Sequence, residues 1–137
     1  MAIKSYKDEV WKIHPKHPNY KFSNYGRCIG IKSKVLRKTR INKKGYECID
    51  LFENGKTHKY TVHRIIAELF VHNPDPNIYT QVNHIDEIKY NNVANNLEWV
   101  TPKQNANYGN RNNNVSKSLK KYYFKLNNCT INFNINK

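Results

Sequence analysis

Along the middle of the chain Val62, Ile65, Ile66, Leu69 and Phe70 recur at spacings of three and four, which lines up one apolar helix face that has to be covered. Asn73-Pro74-Asp75-Pro76 closes that helix, because proline and the residue before it resist helical geometry. Upstream the period changes. Residues 46–52 and 58–62 are rich in β-branched and aromatic side chains and flank Glu53-Asn54-Gly55-Lys56, whose Asn-Gly pair marks a tight hairpin turn. Further back, Glu9-Val10-Trp11-Lys12-Ile13 and Tyr20-Lys21-Phe22 precede a turn at Ser23-Asn24-Tyr25-Gly26 and a strand over residues 28–31. Residues 10–62 therefore read as a β-rich module. Trp11, Tyr20 and Phe22 are core or base-stacking aromatics, core being the commoner use.

Downstream, residues 79–82 and 97–101 predict two more strands around a polar, Asn-rich stretch suited to a long hairpin loop. Thr101 offers an N-cap oxygen and Pro102 suits the first helical position, so a second helix is expected from there, with Asn105 in its second turn. Past an asparagine-rich link at residues 110–114, residues 115–126 suggest a short basic helix, and Cys129, Ile131, Phe133 and Ile135 alternate as a strand does. The expected class is α+β.

With 137 residues, the chain makes one small domain or two very small modules with a modest core. A formal charge of +14 and an isoelectric point near 9.7 favour a polyanionic partner, nucleic acid or an anionic membrane surface. No apolar run approaches the roughly 20 residues of a membrane span, and the N-terminus lacks the apolar core of a signal peptide, so an intracellular protein is expected. Cys28, Cys48 and Cys129 are too few and too scattered for a disulfide framework or a structural zinc site, which leaves inert thiols. The charge is uneven. Residues 1–60 carry 15 basic and 5 acidic residues, residues 61–110 carry 3 and 5, and residues 111–137 carry 6 and none. An AT-rich codon bias would supply the Lys, Asn, Ile and Tyr, but not the loss of acids from both flanks.

Residues 82–105 hold His84 after a short apolar stretch, Asn91, Asn92, Asn95 and Asn96 in the loop, then Leu97-Glu98-Trp99-Val100-Thr101 leading to Asn105. This segment resembles the motif of HNH endonucleases, a ββα-metal unit that places one histidine beside one divalent metal. Residues 62–70 likewise resemble the helix that precedes the hairpin in that family, and residues 9–27 resemble the small modular domain found ahead of HNH units in homing endonucleases. The resemblance implies three regions: a DNA-binding module at 8–61, a ββα-metal nuclease domain at 62–110, and at 111–137 a basic tail where larger relatives continue into helical DNA-binding modules. In such an arrangement the second helix packs across the hairpin and its side chains meet His84.

By the family's pattern His84 is the general base. A neutral imidazole with an ordinary pKa of about 6.5 can take a proton from water at cellular pH. Asn83 and Asn105 would bind one Mg²⁺, or Mn²⁺, and Asn96 would hold the loop and so orient His84. Two positions depart from the family. Asp is common where Asn83 stands, and an amide there should weaken the metal site; glycine is common where Glu87 stands, so the loop could be reshaped. Asp86 is expected to cap its own backbone in an Asx turn. His63 reads as packing, Arg64 as either a phosphate contact or a structural ion pair, and His14, His17, His58 and His72 as surface or turn residues.

Phosphate gripping falls to the flanks: Arg27, Lys32, Lys34, Arg37, Lys38, Arg40, Lys43 and Lys44, with Arg64 and, in the tail, Lys117, Lys120 and Lys121. The expected function is a metal-dependent endonuclease acting on double-stranded DNA, with nicking as a monomer one mode open to it, and with no membrane and no obligate protein partner. The alternative is a DNA-binding protein that kept the HNH fold and lost turnover, the reading to which Asn83 and the short tail lend support.

Overall fold

The computed structural model describes residues 3–111, with side chains through Tyr108. The first sheet has β1 (Trp11–Ile13), β2 (Tyr20–Ser23) and β3 (Cys28–Gly30), antiparallel in that order. Phe22 and Cys28 face each other across β2 and β3 and are both buried. The turn between those strands is held by Ser23 Oγ, which accepts the N–H groups of Tyr25 and Arg27. Gly26 takes the left-handed φ of +85° there. The second sheet has β4 (Arg40–Ile41), β5 (Glu47–Glu53) and β6 (Lys56–Thr61). Its hairpin turns on Asn54 and Gly55 with φ of 52° and 76°, the pair of left-handed residues that a two-residue I′ turn requires. Alternation along β5 buries Ile49 and Leu51 and leaves Phe52 outside.

Helix α1 (Val62–Phe70) starts on the residue after β6 with no connecting loop. Its apolar stripe behaves as the spacing predicts: Val62, Ile65, Ile66 and Ala67 are buried, with Leu69 and Phe70 packed at the margin of the core. Full burial of each of the larger three contributes roughly 2 kcal/mol. The helix stops at Phe70, before the prolines, because Val71 is already extended. Residues 75–79 form a turn in which Asp75 O accepts the N–H groups of Ile78 and Tyr79. That turn occupies the start of the expected strand, so β7 runs Gln81–His84 instead of 79–82 and includes His84 itself.

β7 pairs with β8 (Leu97–Val100), and α2 (Pro102–Arg111) follows. Thr101 caps α2 as expected. Its Oγ1 accepts the Gln104 N–H while Gln104 Oε1 accepts the Thr101 N–H, a reciprocal box that fixes the turn into the helix. One cluster of buried side chains runs from Tyr20, Phe22 and Cys28 through Ile49 and Leu51 to α1 and on to Val82 and Leu97. The three sheets therefore share a single interior, and α1 is its centre. The expected basic helix and terminal strand, with Lys117, Lys120, Lys121 and Cys129, lie outside the described residues.

His14 and His17 depart from their expected surface roles: both are buried. His17 bridges the first two sheets, with one ring nitrogen on the Glu53 carboxylate and the other on the Tyr60 hydroxyl. His14 Nδ1 accepts the N–H groups of Lys16 and His17, the turn role foreseen for it. Cys28 and Cys48 are free and buried, and burial pushes the Cys28 thiol up to about 12, as fits an inert thiol.

Candidate active site

The register of the third sheet decides which side chains share a face. Asn83 lies opposite Glu98 and His84 opposite Leu97, and side chains alternate along each strand. Val82, His84, Leu97 and Trp99 therefore face α1, while Gln81, Asn83, Glu98 and Val100 face α2. Val82 and Leu97 join the core around α1, and the Asn105 amide of α2 donates to Gln81 Oε1 at 2.8 Å. The expectation that α2 side chains meet His84 is corrected here. Because His84 sits inside the strand, its ring turns towards α1, where the His63 ring lies with its centroid 5.0 Å away.

His84 is 5 % exposed. Its Nε2 lies 2.8 Å from Asn92 Oδ1, and the direction of that bond can be derived. The Asn92 amide nitrogen donates to Glu47 Oε1 at 2.8 Å, and a carboxylate only accepts, so the Asn92 oxygen must be the atom facing the imidazole. His84 thus donates from Nε2–H and keeps Nδ1 as its lone pair. The Thr39 hydroxyl fixes Glu47 in turn through Oε2. Burial holds the His84 pKa below its ordinary 6.5, against upward pulls from the Asn92 bond and the Asp86 charge. The ring is therefore neutral at pH 7, the state a general base needs.

His63 stacks on Tyr46 at 5.0 Å. Its Nδ1 is, among the described residues, the one buried side-chain polar atom without a hydrogen-bond partner. Burial, then the His84 and Arg64 charges, push its pKa down to about 4. The first sheet also supports the site. The Asn24 carbonyl accepts the Ala94 N–H at 2.8 Å, and a Cβ on Gly26 would come within 3.0 Å of the Asn92 carbonyl oxygen. Only glycine permits that approach.

Asn96 and Asp86, both fully buried, lock the loop between β7 and β8. Asn96 Oδ1 accepts the Asp86 N–H, while its amide nitrogen donates to Asp86 Oδ1 and to the Asn91 carbonyl. Asp86 makes the expected Asx turn to the Ile88 N–H and also accepts the Asn91 amide. Asn96 has no hydrogen bond to His84; the ring is oriented by Asn92, which the sequence did not distinguish from its neighbours. Glu87 has φ of +64°, so the backbone keeps a glycine-like conformation under a residue that resists it.

Asn83 and Asn105 are the residues that the family resemblance assigns to a cation. The Asn83 amide nitrogen donates to Glu98 Oε1 at 3.0 Å and that of Asn105 to Gln81, so each carboxamide has its nitrogen occupied and its oxygen left to accept. Two such oxygens fit an ion that takes oxygen donors and completes its shell with water and phosphate. Among the described residues no group of three or more His, Cys, Asp or Glu side chains is placed to hold a metal.

Of the expected phosphate contacts, Lys32, Lys34, Arg37, Lys38, Arg40, Lys43 and Lys44 are all exposed on one segment. Arg40 pairs with Asp50 at 2.8 Å, both half-exposed. Arg27 is committed elsewhere: it holds the buried Glu9 carboxylate through two nitrogens, donates to the Lys4 carbonyl and stacks on Tyr6. Arg64 resolves towards the structural option, bonding Glu68 and the Thr80 carbonyl over the face of Trp99. Among the described residues no helix is long and apolar enough to cross a membrane.

No family model matches the chain. It is 40 % identical over 97 residues to the DNA endonuclease I-HmuI of Bacillus phage SP01, covering 70 % of this chain and 55 % of that protein. It is 37 % identical over 115 residues to an uncharacterised HNH endonuclease of Acanthamoeba polyphaga mimivirus, covering 84 % of this chain and 32 % of that one. The chain thus spans between a third and just over half the length of these curated relatives. The solved structure of I-HmuI, described as DNA binding and cleavage by an HNH homing endonuclease, superposes with a TM-score of 0.68 at 37 % identity, over 85 % of this chain and 67 % of that one. With the ββα hairpin, its locked asparagine loop and the preceding helix all in place, the chain belongs to the HNH homing endonuclease family.

Proposed function

We propose that this chain is a divalent-metal-dependent DNA endonuclease in which His84 is the general base and Asn83 and Asn105 hold one Mg²⁺ or Mn²⁺. The observation that carries this reading is the chain Thr39, Glu47, Asn92, His84, which presets one imidazole tautomer. A tautomer fixed by three successive partners has a purpose that a merely packed histidine lacks.

In the reaction His84 Nδ1 takes a proton from a water as its oxygen attacks phosphorus. The P–O3′ bond breaks, leaving a 5′-phosphate and a 3′-hydroxyl, and solvent protonates the leaving oxygen. Asn92 keeps the imidazole aligned and stabilises the imidazolium that forms. Asn83 and Asn105 would hold the cation, which would supply positive charge against the phosphate and the departing oxygen. Asn83 and His84 are the last two residues of β7, so the scissile phosphate binds at that end of the strand. Lys32, Lys34, Arg37, Lys38, Lys43 and Lys44 grip phosphates away from the cut, while the nuclease segment itself carries more acids than bases.

Supercoiled plasmid incubated with the protein and Mg²⁺ or Mn²⁺ tests this directly. Metal-dependent conversion to open circles is expected, falling roughly 10²- to 10⁴-fold in His84→Ala. Nicking that survives the substitution removes His84 as base. Salt-sensitive DNA binding by the intact protein with no cleavage favours a member of the family that has lost turnover.

A further inference from the structure

We propose that Glu98 is a positioning residue of the metal site: its carboxylate holds the Asn83 carboxamide with the oxygen outward and supplies the negative charge that an amide lacks. The inference rests on the reading of Asn83 as a metal ligand.

Glu98 sits directly across the strand pair from Asn83, on the face turned to α2. Its Oε1 is 3.0 Å from the Asn83 amide nitrogen, and Asn83 itself is buried. A carboxylate has no proton to donate, so the Asn83 amide cannot turn over without setting oxygen against oxygen. Asn83 Oδ1 is thereby fixed on the opposite side, available to a cation. The bond also polarises the amide, since drawing on its N–H increases the electron density on its oxygen.

The charge of Glu98 matters whatever the orientation of the amide. Mg²⁺ sites built by proteins usually include one or two carboxylates, and neither Asn83 nor Asn105 is one. The two other carboxylates built into the surrounding structure are already engaged. Asp86 holds the loop through Ile88, Asn91 and Asn96, and Glu47 holds Asn92 and Thr39. Glu98 forms no ion pair among the described residues and is half-buried at the site, so its charge is neither neutralised nor fully screened.

The test uses the whole chain and Mn²⁺ alone, with binding read from the electron paramagnetic resonance signal of the free ion. The metal concentration for half-maximal plasmid nicking is the second readout. Glu98→Gln keeps an acceptor for the Asn83 amide and removes only the charge; circular dichroism establishes that it stays folded. Mn²⁺ affinity is expected to fall about 10- to 100-fold in Glu98→Gln, to rise in Asn83→Asp, and to return to the wild-type level in Asn83→Asp/Glu98→Gln, where one carboxylate has changed strands. A folded Glu98→Gln protein that binds Mn²⁺ like the wild type, while Asn83→Ala loses it, overturns the inference and leaves Asn83 as ligand. Unchanged affinity in Asn83→Ala overturns the ligand reading and this inference with it.

Discussion

Asn96→Ala deletes three hydrogen bonds at one fully buried position: those to the Asp86 carboxylate at 2.9 Å, to the Asn91 carbonyl at 2.8 Å and from the Asp86 N–H at 3.0 Å. Two neutral bonds at about 1 kcal/mol each and one to a charged group at about 2 kcal/mol give a loss of about 4 kcal/mol. That is a large share of the roughly 5–15 kcal/mol that holds such a domain. With a urea slope of about 1.5 kcal/mol/M, the unfolding midpoint should drop by about 2.5 M. Asn96→Asp sharpens the reasoning because it changes almost no volume. It sets a second carboxylate against Asp86, a like-charge contact of several kcal/mol even at an effective dielectric constant of about 20. Asp should therefore be the worse substitution at neutral pH, and part of the loss should return as the pH falls through the carboxylate range. Urea unfolding followed by circular dichroism measures both. If Asn96→Ala unfolds within about 0.5 M of the wild-type midpoint yet no longer nicks DNA, Asn96 acts in the chemistry and the structural account is wrong.

Asn92→Leu should leave DNA affinity unchanged and slow nicking about 10- to 100-fold, the usual cost of losing the partner that orients a functional imidazole; a shift in affinity instead of rate in filter binding would contradict the role given to it. Glu87→Gly relieves a left-handed φ of +64° and is expected to stabilise by about 1 kcal/mol, a rise of a few degrees in melting temperature by calorimetry. His63 supplies a pH dependence. Its pKa is about 4 in the folded protein and 6.5 when unfolded, so below pH 6.5 the unfolded chain binds the extra proton. Stability is then full above pH 6.5 and is lost between there and about pH 4, by about 2 kcal/mol once its partial exposure is allowed for. In His63→Gln that part of the slope should vanish from urea midpoints measured across the range; an unchanged slope would assign it to other groups.

Local rules were enough for α1, for the Asn54-Gly55 turn and for the Thr101-Pro102 helix start, because in each the deciding interactions lie within a few residues. β7 was misplaced by two residues because the turn anchored on Asp75 consumed Tyr79, a competition that residue propensities do not weigh. Once the family pattern has singled out Asn96, Asn91, Asn92 and Asn95 remain as three equivalent amides. Asn92 becomes the partner of His84 only because Glu47, 45 positions earlier, turns its amide. Glu98 was hidden for a related reason: alternation along β8 could have placed it beside Val100, but only the pairing register sets it opposite Asn83. The burial of His14 and His17 likewise depends on a second sheet arriving above the first.

The interior that runs unbroken from Phe22 through α1 to Leu97 bears on how such genes can be rearranged. A two-stranded hairpin with one helix has too little apolar surface to fold alone, and here it is completed by side chains from the first two sheets. Recombination that separated the segments at residues 61 and 62 would deliver two fragments, each missing half of its core. The stretch from the first sheet to α2 is therefore one folding unit, and among the described residues the exposed basic segment at 32–44 is where a change of sequence disturbs that interior least.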